Sequence, residues 1–195
     1  MAEQCAPSVH VSTLLSVAHA ESRFNPLAIG VNGARPRSIA PADKVQAVRT
    51  AQALISSGAN LDLGLGQINV KNLAWLNLSV ADAFEPGLNL KSSAKVLAEG
   101  YGRVATNSAG ADEALRSALS IYNTGHPSRG VRNGYVARVQ ASARRIVPAI
   151  NVAADRATLP QASDVSVEPP SPTPQHWDVF GRARLRASTS QGTGQ

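Results

Sequence analysis

One carboxylate is set apart by its position. From Leu14, apolar residues recur at Val17 and Ala18, three and four places on, and the seventh place is Glu21. At about 100° per residue, a helix would project Glu21 between Val17 and Ala18 and close to Leu14, at the edge of a core. Removing water from a carboxyl group disfavours its charged form, so an acid held there stays protonated near neutrality. Cleaving a glycosidic bond requires such a donor, because the leaving oxygen must gain a proton as the bond breaks. The plainer reading makes Glu21 a last-turn residue, exposed by fraying or paired with Arg23. Asp62, two residues before Gly64, is the only obvious second carboxylate for a two-acid mechanism.

The elements that must position these groups read mostly as helix. Ser12 suits the cap of a first helix, which has to stop near Asn25 because Pro26 disfavours helical geometry in its predecessor. Gly30, Asn32, Gly33 and Pro36 mark the stretch from Ile29 to Ile39 as a turn or short hairpin. A second helix is expected from Ala42 to Ser57, with Val45, Val48 and Ile55 inward and Gly58 as terminator. Leu61, Leu63, Leu65 and Gln67 alternate as in a short strand or extended approach. Three more helices follow, marked by Leu90, Ala94, Leu97, Tyr101 and Val104, by Leu115, Ala118, Leu119 and Tyr122 before Gly125, and by Tyr135, Val139 and Ile146. The fold class expected is α+β, predominantly α-helical, with a small β insertion and a cleft between two lobes.

Composition bounds the rest. The chain has 195 residues, 43% of them hydrophobic, enough for one buried domain plus an appendage. The catalytic domain is placed at residues 1–150, and residues 151–195, rich in Pro, Ser, Thr and Ala, are expected to form a flexible, disordered tail. Within that tail, residues 176–186 join the aromatic patch of Trp177 and Phe180 to Arg182, Arg184 and Arg186, a candidate docking segment. The whole formal excess of six positive charges lies before Asn151, favouring acidic partners. Only 4% of residues are aromatic and no nucleic-acid motif is found, so a nucleic-acid module is not expected. Cys5 is the sole cysteine and the histidines lack zinc-binding spacing, so neither an internal disulfide nor a metal is expected, and no cofactor is implied. No stretch reaches the ~20 apolar residues of a membrane span, and Met1 to Gln4 do not read as a signal peptide. Those features fit a cytosolic protein or a mature form with an added start methionine.

Three strings narrow the choice. Glu21-Ser22-Arg23-Phe24-Asn25-Pro26, Gly64-Leu65-Gly66-Gln67-Ile68-Asn69 and Tyr122-Asn123-Thr124-Gly125 resemble, in this order and spacing, the soluble lytic transglycosylases of the lysozyme-like superfamily. The resemblance covers roughly Cys5 to Pro148. Cys5 to Val9, Asn123-Thr124-Gly125 and Trp177-Asp178-Val179 look like the lytic transglycosylase subunit of VirB-type type IV secretion systems.

The resemblance implies a lysozyme-like, two-lobed domain that cleaves the β-(1,4) bond between N-acetylmuramic acid and N-acetylglucosamine in peptidoglycan. No water is added, and a 1,6-anhydro end forms on the muramic sugar. Glu21 would be the single catalytic acid and base, with no second protein carboxylate required. Gln67 and the backbone at Gly64 and Gly66 would line the cleft and bind sugar. Tyr122 would orient Glu21, Asn123 would bind saccharide or hold the cleft wall, and Ser22 would act from behind. The resemblance also implies a periplasmic location, peptidoglycan strands as substrate and secretion-system components as partners, the latter through Trp177 to Arg186, with no stable membrane insertion.

Departures from the family pattern are local. Gly66 stands where Met is frequent, Ile121 where Ala is frequent, and Gly87 and Gly100 where cysteines of the secretion group are looked for. Altered cleft contacts and no stapling disulfide are expected from them. A lysozyme-type hydrolase pairing Glu21 with Asp62, and a wall-binding assembly factor acting through its tail, are the alternatives.

Overall fold

Strands β1 (Ile29–Asn32), β2 (Arg37–Ile39), β3 (Asn60–Leu63) and β4 (Ile68–Asn69) form one antiparallel sheet in the order β2-β1-β3-β4 in the computed structural model. It describes residues 9–157, with side chains to residue 148. Successive side chains of a strand leave opposite faces, and the register makes that alternation decisive. Ile29 pairs with Leu63 and Val31 with Leu61, and all four are buried on the core side. Gly30 pairs with Asp62, Asn32 with Asn60, and Asp62 with Asn69, so the other side is polar and floors an open cleft.

Seven helices surround the sheet among the described residues: α1 (Val11–Ser22), α2 (Lys44–Ser56), α3 (Leu73–Leu76), α4 (Pro86–Gly102), α5 (Ala111–Thr124), α6 (Arg129–Arg132) and α7 (Tyr135–Ala157). One core joins the apolar face of the sheet to α2, α3 and the turn carrying Ala83 and Phe84. A second joins Val17 of α1 to Leu97, Leu115, Leu119, Tyr135 and Val139 from α4, α5 and α7. Leu14 and Ala18 turn instead toward Leu65, Leu90 and Ala94, so α1 is shared between the two sides of the molecule. His19 Nδ1 lies 2.9 Å from Ser142 Oγ and ties α1 to α7. The mainly helical α+β architecture read from the sequence is therefore the observed one.

Several local expectations change. His10, not Ser12, caps α1: its Nδ1 accepts from the Ser12 N–H at 3.2 Å, and Ser12 is buried inside the first turn. On α2, Ala47 and Ala51 meet the core with no exposed surface, whereas Val45 is 70% exposed. Two small residues on one stripe let the helix lie close to the sheet, and Val45, two places before Ala47, points away. The stretch 60–67 is not one strand, because it breaks at Gly64 and returns as β4. The last helix passes through Pro148 and runs on to Ala157, past the domain end expected at residue 150. Cys5 and the expected docking segment at residues 176–186 lie outside the described residues.

Candidate active site

Glu21 sits one residue before the end of α1. Arg23 and Phe24 follow in left-handed geometry, φ 54° and 66°, and Asn25 Oδ1 accepts from the Leu27 N–H at 2.9 Å. This tight exit sends the chain into β1 and leaves Glu21 facing a cleft of about 860 Å³. Asp62, Gln67, Tyr122 and Asn123 line the same cleft. Ser22, Gly64 and Gly66 do not; they stand behind it and hold it.

Those three work as a frame. Ser22 Oγ donates to Leu65 O at 2.8 Å, joining the end of α1 to the turn between β3 and β4. Gly64 has φ +74°, and a Cβ there would overlap Ala83 O and the Asn89 amide. At Gly66 a Cβ would overlap Ser93 Oγ and come within 2.8 Å of the Tyr122 hydroxyl. The Met that resemblance made frequent at this position has no room here. Asn89 of α4, only 1% exposed, clamps the turn. Its Oδ1 accepts from the Gly66 N–H at 2.7 Å, and its Nδ2 donates to Leu63 O and Ala83 O at 2.9 and 2.7 Å.

Gln67 has φ 50°, an uncommon conformation for a residue with a side chain. Its Nε2 donates to Ala28 O at 3.2 Å and Gly64 O at 2.9 Å, which leaves Oε1 as the atom able to take a hydrogen bond from a ligand. A Cβ at Gly30 would come within 2.7 Å of that Oε1. Asn123 is held with the opposite polarity: its Oδ1 accepts from Asn133 Nδ2 at 3.0 Å, leaving its own N–H groups for the cleft. Tyr122 donates its hydroxyl to Gly66 O at 2.7 Å rather than to Glu21.

The hydroxyl beside Glu21 belongs to Tyr135, the first residue of α7. The side chain is 1% exposed, and its hydroxyl is near enough to favour the charged carboxylate but makes no formed hydrogen bond. Asn133 Oδ1, accepting from the Tyr135 N–H at 2.9 Å, sets its place. Sequence reasoning used Tyr135 only as a marker of the last helix and did not single out Asn89. A polar residue beside Leu90 on an inward helix face was the only signal for Asn89.

Electrostatics follow from this enclosure. Burial pushes the Glu21 carboxyl from 4.5 up to about 7, with the negative charge of Asp62 adding to the rise; the Tyr135 hydroxyl and the Arg138 cation oppose it. Asp62 stays anchored, accepting from Asn32 Nδ2 at 2.8 Å and Asn69 Nδ2 at 2.7 Å. Burial, and then the charge of Glu21, hold both Tyr122 and Tyr135 well above the usual phenol range, so each remains a proton donor at neutral pH. Among the described residues no cluster of His, Cys, Asp and Glu is fit to hold a metal, and no helix is long and apolar enough to cross a membrane.

An acid whose pKa is raised toward neutrality, over a cleft with a polar sheet floor and fixed side-chain amides, is suited to acid–base chemistry on a polar ligand. The chain belongs to the transglycosylase SLT domain family, which it matches over residues 1–143, and membership implies transglycosylase activity. It is 35% identical over 203 residues to protein virB1 of Rhizobium radiobacter, an alignment spanning all of this chain and 76% of that protein. It is 39% identical over 149 residues to type IV secretion system protein virB1 of Brucella abortus biovar 1 (strain 9-941), spanning 73% of this chain and 62% of that protein. No solved structure matches it significantly.

Proposed function

We propose that this protein is a peptidoglycan lytic transglycosylase that cleaves the β-(1,4) bond between N-acetylmuramic acid and N-acetylglucosamine, leaving 1,6-anhydro ends. The observation that carries this reading is Glu21, whose carboxyl is held near pKa 7 by burial and by Asp62. Protonated, it gives its proton to the glycosidic oxygen as the bond to the anomeric carbon breaks. Ionised, it takes a proton from the primary hydroxyl of the same muramic sugar while that oxygen closes on the anomeric carbon. One group thus serves both halves, and its pKa keeps both forms populated at neutral pH. Gln67 Oε1 and the Asn123 amide N–H groups would hold the sugar, while Ser22, Gly64 and Gly66 keep the turn in place. The names of its relatives support action at a type IV secretion system, hence a periplasmic site where the glycan is opened locally for assembly of that machine. Recruitment through Trp177 to Arg186 belongs to the same proposal.

A second reading, a hydrolase using Asp62, has one observation in its favour: Asp62 lines the same cleft. Digestion of purified peptidoglycan, with mass spectrometry of the released fragments, separates the two. The parent should yield anhydro ends, lighter by one water than hydrolysed ends, and Glu21→Gln should lose at least about a hundredfold in rate. Asp62→Asn should keep most of its activity. Hydrolysed ends together with an inactive Asp62→Asn would establish the second reading instead.

A further inference from the structure

The cleft that holds Glu21 is also lined by Lys71, Trp75, Glu99 and Arg103. Trp75 is conspicuous among them. It lies on α3 between Leu73 and Leu76, which are 8% exposed and belong to the sheet-side core, yet it is itself 43% exposed. An indole left in water is unfavourable by the apolar area it fails to bury, so its orientation calls for a cause.

The ring is fixed in that exposed position. Its Nε1–H donates to Asn72 Oδ1 at 3.1 Å, which also satisfies its polar edge. The Lys95 ammonium stands 5.1 Å from the ring centroid, over one face. Trp75 lines the cleft, and Lys95, on the ring's covered side, does not. A large aromatic with its edge bonded and one face covered has little rotational freedom left to lose when a ligand arrives.

We propose that Trp75 is the platform of a distal sugar subsite, on which one pyranose ring of a glycan strand rests while another ring of the same strand lies at Glu21. The C–H groups on one face of a pyranose are apolar and slightly positive, matching the negative face of an indole. Its equatorial hydroxyl and amide groups point outward from that contact, and Lys71, Glu99 and Arg103 of the same cleft supply polar partners for them. A few polar side chains around an aromatic floor are the usual makings of a ligand subsite. The proposal rests on the glycan reading of Glu21, and it makes this protein one that favours long strands over short fragments.

The test compares KM on long glycan strands with KM on the shortest fragment the enzyme cleaves, for the parent, Trp75→Ala and Trp75→Phe. The parent should favour long strands, Trp75→Ala should lose about tenfold of that advantage, and Trp75→Phe should recover most of it. Equal advantage in the parent and Trp75→Ala overturns the proposal, as does a loss confined to kcat. A binding measurement separates its failure from that of the cleavage reading. Trp75 and Trp177 are the two tryptophans, so in the Glu21→Gln, Trp177→Phe protein the tryptophan fluorescence, excited to the red of tyrosine absorption, is that of Trp75 alone. Its emission should change on adding glycan strands, whether or not the parent cleaves them. Unchanged emission at saturating strand concentration overturns the subsite.

Discussion

The mechanism proposed for Glu21 asks it to be a good acid and then a good base, and the residues around it pull its pKa in both directions. Burial and Asp62 raise it; Tyr135 and Arg138 restrain the rise. Tyr135 is the more informative of the restraining pair, since its hydroxyl is buried without a formed hydrogen bond. An unpaired buried hydroxyl costs about 1–3 kcal/mol, and an ionised carboxylate beside it is the acceptor that would recover this. Tyr135 is therefore a positioning residue whose effect appears as Glu21 loses its proton. Tyr135→Phe should move the Glu21 pKa further up, so the alkaline limb of the kcat/KM profile shifts to higher pH. Stability should not fall, because the ring is preserved and an unpaired polar group is removed. A limb that stays in place or moves to lower pH would contradict this role. Glu21 was legible in the sequence because a carboxylate on an apolar helical stripe breaks a pattern. Tyr135 was not, because an aromatic on such a stripe obeys the pattern.

Among the elements, the turn between β3 and β4 carries most of the site, and its shape is imposed by α4. Leu61, Leu63, Leu65 and Gln67 alternate as a strand would, but the chain leaves the strand at Gly64, where Asn89 takes up the backbone groups of Leu63 and Gly66. These partners are more than twenty residues apart in sequence, so no local pattern could disclose them. Asn89→Ala would strand Leu63 O, Ala83 O and the Gly66 N–H in a buried place. The expected loss is on the order of 3 kcal/mol in denaturant unfolding, with activity reduced in the protein that remains folded. A loss below about 1 kcal/mol would mean that water or a backbone shift replaces the clamp. Ser22 illustrates the same limit. Its place next to Glu21 was plain, but only folding aims its hydroxyl at Leu65 O.

For the whole molecule, a buried acid at the site is also a stability liability. Below pH 4.5 Glu21 is protonated in both folded and unfolded chains and costs nothing. As pH rises from there to about 7, the unfolded chain ionises first and the folded state loses ground; above 7 the loss is complete. A displacement of this size corresponds to roughly 3 kcal/mol. Glu21→Gln should therefore melt higher than the parent at pH 8 and close to it at pH 4. A parent that is the more stable of the two at pH 8 would show that the carboxylate is well solvated or well paired, and would weaken the catalytic reading with it.

The sequence by itself determined the five longer helices, the first hairpin, the carboxylate set on an apolar stripe and the turn residues that carry the family resemblance, because each is written in spacing or in residue types a few positions apart; the short helices α3 and α6 were not legible in it. Tertiary structure alone decided that one face of the sheet is apolar and the other floors a cleft, that Tyr135 rather than Tyr122 stands beside Glu21, and that Gln67 and Asn123 present opposite amide polarity. Those outcomes depend on register and on hydrogen bonds between distant segments, and their energies exist only once the chain has brought the partners within about 3 Å of each other.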